Sequence, residues 1–93
     1  MISNIELQKL LSSKGYAGEE LVPMVIRTRL LVAVNDHIES RQLNPAQIAT
    51  ALGVKESRVS ELKKLHIEKF STELLLKYAR RLGLRVKLEI SVL

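Results

Sequence analysis

Between Lys55 and Lys64 the chain sets eight charged or hydroxyl residues around two apolar ones, Val59 and Leu62. Spaced at about 100° per residue on a helix, Val59 and Leu62 point to a core. Ser57, Ser60, Glu61 and Lys64 then point away from it, and Arg58 lies at the border. Short polar and basic side chains on the outer face of a helix can reach base edges in a major groove. Lys55 and Lys63 are better placed for phosphates, which add affinity without reading sequence. Two readings are open for Glu61: it accepts from a cytosine N4 amine, or it pairs with Arg58 three residues earlier. The rival reading of the whole segment is the solvated charged face of an ordinary helical bundle.

Catalytic chemistry has little to work with. His37 and His66 are the only histidines and there is no cysteine, so a nucleophile paired with histidine would have to be Ser or Thr. His37 falls on an apolar helical face and reads as a core or interface histidine; His66 falls in a loop. No phosphate-binding glycine loop, dinucleotide fingerprint or metal-ligand spacing occurs. Without Cys, disulfides and thiolate metal sites are excluded. The expectation is a non-enzyme with no cofactor.

The charge is unevenly placed. Residues 1–54 balance Lys9, Lys14, Arg27, Arg29 and Arg41 against Glu6, Glu19, Glu20, Asp36 and Glu39. The whole net charge of +5 therefore falls on residues 55–93. A basic half favours an anionic partner, nucleic acid first and membrane surface second. Arg80 and Arg81 have two readings, phosphate contact or stabilisation of a helix C-terminus by cations. The N-terminus has no uninterrupted apolar segment of the secretory kind, and no apolar run approaches the roughly 20 residues of a membrane span. A cytoplasmic location with no membrane partner is expected.

The elements that must position the polar segment follow from spacing. Ninety-three residues suit one small domain, 1–93. Residues 1–18 form an N-terminal helix, about 3–11, and a loop; Ser3 and Glu6 suggest a capping box. This helix is explicable either as core cover or as a partner contact. A long helix fits 19–41, with Pro23 tolerated in its first turn. Its apolar spacing picks out Val22, Ile26, Ala33, Val34, His37 and Ile38. Asn44-Pro45 opens a short helix that ends by Gly53, and a second short helix spans about 56–64. Two short helices at a tight turn over 45–64 make the helix-turn-helix plan. Ala49 provides the small contact residue, Gly53 the positive φ of the turn, and Ile48, Leu52, Val54, Val59 and Leu62 the anchors. Ser71 caps a last helix, with Phe70 and Leu75 as a hydrophobic staple, and Gly83 ends it.

From Leu84 the period changes. Leu84, Val86, Leu88, Ile90 and Val92 alternate with polar residues, the pattern of a half-buried strand over 84–92. A lone strand cannot satisfy its own backbone. The direct inference is a second copy pairing antiparallel about a two-fold axis; the rival is a packed or frayed tail. The fold class expected is mainly α: a five-helix domain with one C-terminal strand pairing across a dimer.

Residues 43–64 (LNPAQIATALGVKESRVSELKK) resemble the XRE-type, lambda-repressor-like helix-turn-helix proteins. Residues 69–90 (KFSTELLLKYARRLGLRVKLEI) bring the likeness closest to HigA-like antitoxins of type II toxin–antitoxin modules. The resemblance covers about half the chain. It implies a homodimeric repressor that binds a palindromic operator in double-stranded DNA, controls its own promoter, and pairs with a toxin of the RelE superfamily. It places base contacts at Glu56, Ser57, Ser60, Glu61 and Lys64, with Arg58 adjacent. The chain departs from the family pattern at Pro45, where Gln is usual, and at Leu65, where Gly is frequent. Alternatives are a stand-alone phage-like repressor, and a protein-interaction module that uses the motif only as scaffold.

Overall fold

The computed structural model describes residues 3–89. Five α-helices stand among them: α1 (Asn4–Ser13), α2 (Leu21–Ser40), α3 (Pro45–Leu52), α4 (Glu56–Lys63) and α5 (Thr72–Arg81). Single 3₁₀ turns, Gly18–Glu20 and Ile67–Lys69, precede α2 and α5. None of these helices is long and apolar enough to cross a membrane.

Side-chain caps explain three of the helix starts. The Ser3 and Ser71 hydroxyls accept the Glu6 and Leu74 N–H groups, each at 3.1 Å. Asn44 and Gln47 form a reciprocal box, with both bonds at 2.9 Å. Such caps satisfy N–H groups that a helix leaves without partners. Glu19 and Glu20, expected in the first turn of the long helix, sit in the 3₁₀ turn just before it.

All five helices end in one way. In α3, the Gly53 N–H reaches back to the Thr50 carbonyl at 3.3 Å and the Val54 N–H to Ala49 at 3.0 Å. This double closure needs a residue with positive φ at its centre. The chain supplies Gly15, Gln42, Gly53, Leu65 and Gly83 at the five centres. Leu65, at φ 58°, thus ends α4 as a glycine would.

The core has two parts. The larger joins Leu31, Val34 and Ile38 of α2 to Ile48, Ala49 and Leu52 of α3, Val59 and Leu62 of α4, and Leu75, Tyr78 and Ala79 of α5. Phe70 is fully buried within it and meets Tyr78 edge to face at 6.3 Å. The smaller packs Leu7 and Leu11 of α1 on Met24 and Val25 of α2. Ile67 touches both. Helix α2 is the shared spine, and His37 pins its end: the ring Nε2 lies 2.8 Å from the Leu82 carbonyl.

Two expectations change. Val22, Ile26 and Ala33, picked out by helical spacing as one apolar face of α2, are exposed. Apolar residues occur on every side of this helix, so spacing alone does not select its buried face; the two clusters do. The expected strand is not seen either. Residues 84–89 have no regular secondary structure, and Ile90 and Val92 lie outside the described residues. A strand is defined by hydrogen bonds to a neighbouring strand, and no described segment of this chain pairs with residues 84–89 in that way. Leu84 is half-buried against the main core, whereas Val86 and Leu88 are exposed.

Candidate nucleic-acid interface

Helices α3 and α4 meet through the turn at residues 53–55, and each face of α4 has its own surroundings. Val59 and Leu62 are buried, as their spacing requires. Lys55, Glu56, Ser57, Ser60, Lys63 and Lys64 are exposed, while Arg58 and Glu61 are half-buried. Glu56, Ser60, Lys63 and Lys64 line a shallow cleft of about 230 Å³ whose far wall is Pro45 of α3. Lys55 stands at the start of α4 and makes no side-chain cap there. Ser57 is on the same outer surface, outside the cleft. At the start of α3 the capping box occupies Gln47, and Pro45 carries no N–H.

Arg58 and Glu61 turn the other way, toward the segment joining α4 and α5. The Arg58 guanidinium lies 4.1 Å from the Phe70 ring centroid. Its Nη2 donates to the Lys69 carbonyl at 2.7 Å. Glu61 lies 3.7 Å from Arg58 and 2.5 Å from the Lys69 ammonium. The Lys69 ammonium, first by its hydrogen bond and then by its charge, holds the Glu61 carboxyl below the usual carboxylate range, with Arg58 assisting. Glu61 is thus occupied by two cations of its own chain, and Arg58 is stacked and bonded inward.

Three residues outside the motif hold it in place. Arg81 of α5 donates from Nη1 to the Leu52 carbonyl at the end of α3. A Cβ at Gly53 would come within 2.7 Å of that nitrogen, the movable end of a long side chain, so the turn favours glycine for its positive φ and a larger residue there would displace the Arg81 contact. Asn35 of α2 donates to the Leu62 carbonyl at the end of α4, at 3.1 Å. Lys69 anchors Glu61. Sequence reading left Arg81 between two roles and passed over Asn35 and Lys69. These contacts join residues 8 to 29 positions apart, beyond the reach of any local spacing pattern.

A chain with this two-helix unit, outer-face residues and buried anchors is a helix-turn-helix protein, the class of DNA-binding regulators. The comparison with known families agrees: the model of a helix-turn-helix domain matches residues 17–91, and the chain belongs to that family. Helix α1 lies outside the match. No curated protein and no solved structure matches the chain.

Proposed function

We propose that this protein is a sequence-specific transcriptional repressor that binds a palindromic operator as a homodimer. The observation that carries the reading is the outer surface of α4. It presents Glu56, Ser57, Ser60 and Lys64 to base edges and Lys55 and Lys63 to phosphates. The concentration of the net positive charge in residues 55–93 supports it. So does the missing side-chain cap at the start of α4, because N–H groups at a helix N-terminus suit phosphate oxygens.

Dimerisation is assigned to the segment 84–92. Val86 and Leu88 are 49% and 72% exposed, an apolar edge that a second copy can cover. Lys87 and Glu89, two residues apart, pair at 3.1 Å, as side chains on one face of an extended segment do. The more particular role we propose is that of the antitoxin in a type II toxin–antitoxin module, with a RelE-superfamily toxin as partner. Its support is the resemblance of residues 43–64 and 69–90.

Selection of bound duplexes from a random-sequence pool, followed by titration at several salt concentrations, tests the DNA reading. A palindromic consensus and an affinity that falls steeply with salt are expected; binding that ignores both sequence and salt overturns it. Truncation after Gly83 tests the dimer, because an unchanged solution mass removes the segment from that role. Co-expression with the adjacent reading frame separates an antitoxin from a stand-alone repressor. Only an antitoxin relieves growth arrest caused by its neighbour.

A further inference from the structure

We infer that Asn35 is a positioning residue for sequence recognition: it fixes where α4 lies along its own axis and so where Ser57 and Ser60 meet DNA. The inference rests on the DNA-binding reading above.

Helix α4 is only eight residues long, and its apolar anchors are two side chains one turn apart, Val59 and Leu62. Apolar contact is non-directional. It sets which face of α4 is buried but resists sliding along the axis weakly. Directional contacts must do the rest. Arg58 and Glu61 tie one edge to the loop that follows α4, a segment joined to the helix itself. Asn35 is different, because it belongs to the central spine of the core.

The geometry of Asn35 is fixed by two acceptors. Its Nδ2 donates to the Leu31 carbonyl at 2.9 Å, one turn back on α2, and to the Leu62 carbonyl at 3.1 Å. Only the amide nitrogen can donate to two carbonyls, so this pair of bonds assigns the amide orientation. The Leu62 carbonyl is one of those that a helix C-terminus leaves without an intrahelical partner. It already accepts the Leu65 N–H at 3.1 Å, and Asn35 takes its second lone pair.

This arrangement separates two kinds of DNA contact. Lys55 and Lys63 have long flexible stems and follow a phosphate if α4 moves. Ser57 and Ser60 are short, and base readout fails with a displacement of about 0.5 Å. Loss of the Asn35 bond should therefore lower discrimination between sequences while leaving general affinity for DNA intact.

The substitution Asn35→Leu tests this. Leu is similar in size, favours a helix, and leaves neither carbonyl stranded, since Leu62 keeps the Leu65 N–H and Leu31 keeps its bond within α2. The two probes are the duplex selected by the wild-type chain and a scrambled duplex of equal length and composition. We expect the variant to bind the selected duplex roughly tenfold more weakly and the scrambled one as before, with the same salt dependence and an undiminished melting temperature. Equal weakening on both duplexes, or none on either, overturns the inference while the DNA reading stands. A wild-type chain that selects no sequence overturns both. As a second readout, amide hydrogen exchange should quicken at Leu65 and His66 but not in α5; unchanged exchange there counts against the clamp.

Discussion

On one edge of α4, Arg58 and Glu61 are drawn into the protein by Phe70 and Lys69. On the other edge and outer face, Glu56, Ser60, Lys63 and Lys64 line an open cleft against Pro45. Both edges carry a mixture of acid and base, and composition does not separate them. What separates them is the chain that follows: the segment after Leu65 folds back along one edge only. The difference divides one short helix into a side that builds the protein and a side left for a ligand. Substitutions on the first side should be read in stability, and on the second in DNA affinity.

The largest effect that can break this division is Phe70→Ala. Phe70 is fully buried at the centre of the main core and is also the ring beneath Arg58. A loss of about 3–5 kcal/mol is expected from the lost burial of the ring together with the cavity it leaves. Denaturant unfolding measures it, and a loss under about 1 kcal/mol would mean that the core collapses around the gap.

Next comes a crossed pair, Arg58→Ala and Lys64→Ala. Removing the Arg58 stack and its bond to the Lys69 carbonyl should cost about 1–2 kcal/mol of stability. Lys64→Ala should leave stability within about 0.5 kcal/mol. It should instead weaken binding to the selected duplex more than to a scrambled one, because Lys64 is assigned to a base edge. The division fails if the two variants exchange phenotypes.

Leu65→Gly is smaller and of opposite sign. A leucine at φ 58° is strained by about 1–2 kcal/mol, and glycine relieves this at an entropic cost of about 0.5–1 kcal/mol. A net gain of roughly 0.5–1 kcal/mol in thermal unfolding is expected. A loss would show that the Leu65 side chain, which lines a groove with Leu10 and Val32, contributes more by packing than its backbone gives up in strain.

These cases also mark how far the sequence could be read. Local signals were strong where the physics is local. Asn44-Pro45, Ser71 and Gly83 place the helix ends of the structure to within a residue or two because caps act within one turn. The buried anchors Ile48, Leu52, Val59 and Leu62 were legible because they recur at helical spacing on helices with one dry side. Helix α2 was misread because it has two dry sides, one toward α1 and one toward α3, α4 and α5. Leu65 was marked only by the resemblance, in which Gly is frequent at that position; nothing in leucine itself prefers the left-handed turn it adopts. Arg81 and Asn35 gave no sign of their carbonyl partners, which only the packing of α5 and α2 against the motif brings near. The outer surface of α4 was thus readable in composition and spacing, and the clamps that orient it were not.

The smallest effect concerns pH and falls on the inward edge. Glu61 has its carboxyl held below the usual range chiefly by Lys69. The folded state therefore binds the proton less readily than the unfolded chain. Its contribution to stability is complete above the ordinary carboxylate range and is lost as pH falls through the depressed folded value. Melting temperature should accordingly rise between about pH 3 and about pH 6 in the wild type, and less so in Glu61→Gln. Added salt should shrink the difference, because the pair is open to solvent. The same substitution should leave the preference for a selected duplex unchanged at neutral pH, since Glu61 faces Lys69 and not the cleft. A changed consensus in Glu61→Gln would instead return Glu61 to the reading surface and move the boundary between the two edges.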